Sequence, residues 1–90
     1  METIDPLRYE VDLLDDQILR LLSKRMDIIK QIALEKMNHK LPLFDENREE
    51  QMNENWINKA KVYDMDQNAI QKIFNEILRM SKETQDNMIK

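Results

Sequence analysis

The chain reads as all-α: three helices, one long at the N-terminus and two shorter. Three observations lead there. Glycine is absent and proline occurs only twice, so tight hairpins and phosphate-cradling loops lack the residues that build them. Apolar residues recur at spacings of three and four, the helical rhythm, rather than at two. That rhythm fails around Pro42 and again between Tyr63 and Met65, which divides the chain into three periodic stretches.

The first helix is expected from Asp5 to about Met37, with Asp5 as its N-cap and Pro6 at the first helical position, where a missing N–H costs nothing. Its apolar stripe runs through Leu7, Val11, Leu14, Ile18 and Leu21 to Ile29 and Ile32. Two cations interrupt it. A step of four from Leu21 reaches Arg25, and a step of four from Ile32 reaches Lys36, so both charges fall on the face that should be buried and need partners there. At ~1.5 Å per residue such a helix is roughly 50 Å long, whereas a compact chain of this length has a radius of gyration of about 12 Å. The rest of the chain covers only part of this rod. A second copy, arranged as a closed two-fold dimer, is expected to cover the remainder.

A loop follows from Asn38 to Phe44, with Asn38 and His39 as stopping residues and Leu41 held extended by Pro42. Asp45 caps the second helix, which runs to about Val62 with Met52, Trp56, Ala60 and Tyr63 along one side and Trp56 as a buried anchor. Arg48 and Glu49 continue that side backwards. Asp66 caps the third helix, which buries Ile70, Ile73, Phe74, Ile77 and Leu78 and then carries Ser81, Gln85 (or Thr84) and Met88 in the same rhythm. Each helix therefore has an apolar face broken by groups that carry charge or hydrogen bonds.

Composition narrows the function. Ninety residues suit a single domain, taken as residues 1–90, with a thin core that favours association. There are no cysteines, hence neither disulfides nor thiolate metal sites. The short acidic start lacks an apolar signal core and no run suits a membrane span, so a cytoplasmic protein is expected. A net charge of −4 with mixed signs argues against nucleic acid as a partner. An anion site here must be a local cluster of cations.

Arg25 and Lys36 supply such a cluster, being about 20° apart in azimuth and ~16 Å along the axis. Two long side chains can converge on one small ligand between them. Arg8 lies ~42 Å from Lys36 along the same helix, so it joins the site only from a second chain.

These residues carry a resemblance. Leu7-Arg8, Val11-Asp12, Leu14-Asp15, Ile18-Leu19, Leu21-Leu22, Arg25, Lys36, Pro42, Asp45-x-x-Arg48-Glu49, Ile73-Phe74, Ile77, Ser81 and Gln85 together resemble the all-helical class of chorismate mutases over nearly the whole chain. The resemblance implies an intertwined helical homodimer with two sites, each completed by the other chain, that isomerises chorismate to prephenate without a cofactor or metal. It further implies that Arg25 and the second copy's Arg8 clamp the substrate carboxylates, with Arg48 and Ser81 supporting them. Lys36 and Gln85 would donate to the ether oxygen. Glu49 would accept from the ring hydroxyl, and Asp45 would serve chiefly through its backbone at the helix start.

Taken singly, each residue has a plainer reading. Arg25 in a helical stripe can be a snorkelling or salt-bridged residue, and Lys36 a C-terminal cation favourable to the helix dipole. Arg48 and Glu49 suit any first helical turn, Asp45 any cap, and Ser81 a back-bond to a carbonyl. Asp15 suits a pair with a cation across a dimer, and His39 carries no assigned role. Two other functions fit the same pattern: a helical lyase splitting isochorismate, which the Asp45-x-x-Arg48-Glu49 run disfavours, and a non-catalytic regulatory dimer. An association with another enzyme of aromatic amino acid synthesis is compatible with all of them.

Overall fold

The computed structural model describes residues 2–90 as three helices: α1, Asp5–Asn38; α2, Glu46–Val62; and α3, Gln67–Met88. No strand occurs among the described residues. The all-α expectation holds, with helix ends within a residue or two of those read from the sequence. α3 is the element on which both others pack; the α1 and α2 backbones do not come close to each other. Its buried residues Ile70, Phe74, Ile77, Ser81 and Gln85 follow one another at three and four, so one stripe serves both neighbours. Ala33 on α1 and Ala60 on α2 are the buried points facing it, small enough to admit close approach. Phe74, the largest fully buried side chain, meets Trp56 at 5.3 Å between ring centroids in a tilted pair.

Three expectations need correction. Asp5 is not the N-cap of α1: Ile4 holds that place in an already helical conformation (φ −94°, ψ −35°), with no side-chain cap bond, and its carbonyl accepts from Arg8 N–H at 2.9 Å. Pro6 keeps its place in the first turn, where no N–H is missed. Ile73 is half exposed, because it stands one residue off the stripe set by Ile70, Phe74 and Ile77. Trp56 is only partly covered, with one face on Phe74 and the rest lining a groove.

The other two caps behave as expected. The Asp45 carboxylate accepts from Arg48 N–H at 3.1 Å, and that of Asp66 accepts from Asn68 and Ala69 N–H. α1 and α2 end alike. Leu41 N–H reaches back to the Lys36 carbonyl at 2.8 Å and Lys40 N–H to that of Met37 at 3.2 Å; Met65 and Asp64 repeat the pattern onto Ala60 and Lys61. These are paired 6→1 and 5→2 bonds, a closure that needs one left-handed residue. With no glycine to use, the chain places Lys40 (φ 57°) and Asp64 (φ 54°) there.

α1 outreaches the rest. The molecule measures 57 × 24 × 17 Å with a radius of gyration of 16.7 Å, well above the about 12 Å of a compact chain this size. Every residue of α1 from Asp5 to Leu21 is exposed, including the whole stripe Leu7, Val11, Leu14, Ile18 and Leu21; cover begins at Leu22. No helix among the described residues is long and apolar enough to cross a membrane.

Candidate active site

Between the covered half of α1, the loop after it, the start of α2 and the end of α3 lies a cavity of about 570 Å³. Seven residues singled out in the sequence line it: Arg25, Lys36, Asp45, Arg48, Glu49, Ser81 and Gln85. Arg8 does not; it sits exposed on the bare half of α1, a distance of ~26 Å along the helix from Arg25.

The stripe positions explain the convergence. Arg25 is half-buried where α1 meets α3, and its Nη1 donates to Ser81 Oγ at 2.8 Å while Nη2 lies 3.7 Å from Met52 Sδ. Ser81 in turn donates from Oγ to the Ile77 carbonyl at 2.9 Å, so it makes the back-bond of a helical serine and holds the guanidinium as well. The pKa of Arg25 is lowered from its ordinary value, first by burial and then by the positive charge of Arg48. An anion seated between the two guanidiniums would relieve that repulsion.

Lys36 is fixed at both ends. Its carbonyl takes part in the closure of α1, and its Nζ donates to the Leu43 carbonyl at 3.0 Å. Arg48, exposed at the start of α2, lays Nη1 on Gln51 Oε1 at 2.7 Å. Among the described residues no carboxylate lies within ion-pair distance of Arg25, Lys36 or Arg48. Glu49 instead pairs with Lys82 at 2.9 Å.

Gln85 is buried against the same wall. Its Nε2 makes a long 3.3 Å bond to the Ser81 carbonyl, and Oε1 has no partner. That carbonyl already accepts from the helix ladder, so the amide is readily turned to a ligand. Five cations and two carboxylates line the cavity within a molecule whose net charge is −4. The arrangement suits a small dianion with a polar centre, held by donors that need not move a proton.

Reading the sequence missed Lys82, Lys24 and Met52 as cavity residues. Lys82 follows Ser81 by one residue, about 100° off the buried stripe, and so passes for a solvated lysine. Met52 reads as ordinary core.

A family described as chorismate mutase type II matches residues 7–86. The chain belongs to that family. The T-protein of Haemophilus influenzae is 37% identical to it over 49 residues, which are 54% of this chain and 13% of that protein. The matched stretch thus spans only a small part of the relative's length.

Proposed function

We propose that the cavity binds chorismate as a dianion and isomerises it to prephenate, and that two copies of the chain build each complete site. The observation that carries this is the cluster Arg25, Lys36 and Arg48: three cations at one cavity without a carboxylate partner among the described residues. Membership of the family selects chorismate among the anions that such a cluster suits.

The rearrangement breaks an ether C–O bond while a C–C bond forms within the same molecule, with no proton transferred and no covalent intermediate. The chain's task is to hold a flexible dianion in a folded chair and to stabilise charge growing on the ether oxygen. Arg25 takes one carboxylate through its planar fork, oriented by Ser81. Arg8 of a second copy takes the other, with Arg48 beside it. Lys36 Nζ exchanges the Leu43 carbonyl for the ether oxygen, and Gln85 Nε2 exchanges the Ser81 carbonyl for the same atom. Glu49 accepts from the ring hydroxyl, and Asp45 fixes the start of α2 so that Arg48 and Glu49 project inward.

A homodimer is part of the same reading. The bare stripe on α1 is apolar, continuous and long enough to seat a second α1, and a two-fold axis would carry Arg8 across to the other chain's cavity. So is a cytoplasmic location, which suits a biosynthetic isomerase. Association with another enzyme of the same pathway remains compatible with it.

The test is the loss of chorismate absorbance on adding purified protein, with the mass in solution measured on the same sample. Turnover by a species of twice the chain mass supports the reading. Absence of turnover, or consumption of isochorismate instead, would overturn it.

A further inference from the structure

We infer that Lys82 is a positioning residue of this site, which holds the Glu49 carboxylate in an ion pair of its own rather than one with the cavity's arginines, and so makes the cavity selective for a dianion bearing a ring hydroxyl. The inference rests on the chorismate reading and deepens it. Lys82 Nζ lies 2.9 Å from Glu49 Oε1 and 5.3 Å from the centroid of the Phe44 ring. One ammonium thereby joins α3, the start of α2 and the loop between α1 and α2. The Glu49 side chain is well covered, 19% exposed, while that of Lys82 is 42% exposed and reaches in from the rim.

The reason for such a brace is electrostatic. Glu49 lines a cavity that also holds Arg25, Arg48 and Lys36, opposite charges that compete for its carboxylate. If Glu49 paired with Arg25 or Arg48 it would neutralise a clamp meant for the ligand's carboxylates. It would also spend the acceptor meant for the ligand's hydroxyl. The bond to Lys82 prevents both, and a second carboxylate oxygen remains for the hydroxyl. Contact with Phe44 holds the ammonium at the rim, where it faces Glu49 rather than the ligand.

The experiment compares two probes, a bicyclic dicarboxylate that mimics the folded transition state with its hydroxyl, and the same compound without it. Wild-type protein is expected to prefer the hydroxylated probe by roughly ten- to a hundredfold, the value of one hydrogen bond to a charged group. Lys82→Met should abolish that preference and raise KM for chorismate by roughly tenfold with a smaller change in kcat. Lys82→Arg should restore most of the preference, and Lys82→Met should add little to Glu49→Gln in the double variant. Thermal unfolding of each variant reports whether a loss is one of folding; a brace of merely structural kind would weaken both probes equally. Retention of the hydroxyl preference by Lys82→Met, or full additivity with Glu49→Gln, would overturn the inference while wild-type turnover left the chorismate reading standing. Wild-type protein that neither turns over chorismate nor binds either probe would overturn both.

Discussion

The two halves of α1 carry the same stripe in opposite surroundings. From Leu22 onward one side of the helix is partly covered, with Ala33 buried and Arg25 and Lys36 presented to a cavity; from Asp5 to Leu21 an apolar face stands uncovered. Periodicity alone does not distinguish them, since it reports which face is to be buried and not what buries it. The covered half finds its neighbour within the chain. The bare half needs one from outside, and it bears the one expected site residue, Arg8, that the cavity lacks.

The largest effect should come from charging the bare half. Leu14→Asp with Ile18→Asp is expected to yield a monomer or an unfolded chain, with activity down by on the order of 10³-fold or lost, read by sedimentation and chorismate turnover; an active monomer would end the two-chain site. Next, Lys36→Ala should lower kcat on the order of 10²- to 10³-fold, while Arg8→Ala should act mainly on KM. Mixing these two variants should recover up to about a quarter of wild-type activity, because in a two-fold dimer half the pairs are mixed and each mixed pair has one intact site. No recovery would mean that Arg8 serves its own chain.

On the covered side, Phe74→Ala should cost about 3–5 kcal/mol, seen as a lowered denaturation midpoint, without changing which chain supplies Arg8. Gln85→Glu should make activity depend on acid. A glutamate donates to an ether oxygen only when protonated, so the rate should fall about tenfold per unit as pH rises above its pKa, whereas the wild-type amide is neutral throughout; identical pH profiles would remove Gln85 from the ether oxygen. The smallest effect is Lys40→Gly, expected to stabilise by about 0.5–1 kcal/mol by relieving a left-handed lysine, measured by thermal unfolding.

Much of this was legible in the residues. Asp45, Asp66 and Pro6 announce helix starts, and steps of three and four from Leu21, Ile32, Met52 and Ile77 reach polar groups that the fold then gathers around one cavity. Local chemistry is visible in a sequence when it depends on near neighbours. What escaped depends on tertiary placement. Lys40 was hidden because left-handed closure is usually signalled by glycine, and Asp5 misled because a good cap residue loses its place when the preceding residue is already helical. Ile73 and Trp56 are apolar enough to be buried, yet α2 and α3 meet along a narrower strip than their composition allows. Lys82 gives no local sign at all; only the packing of α3 against α2 brings it to Glu49.

The closure of α1 carries a consequence for engineering. The ammonium assigned to the bond-breaking step is tethered by a carbonyl just past Pro42, and the backbone of the same residue is tied to Leu41. Leu41→Pro, which removes the Leu41 N–H, a group outside the binding pocket, is expected to lower kcat more than it raises KM if Lys36 acts in the bond-breaking step.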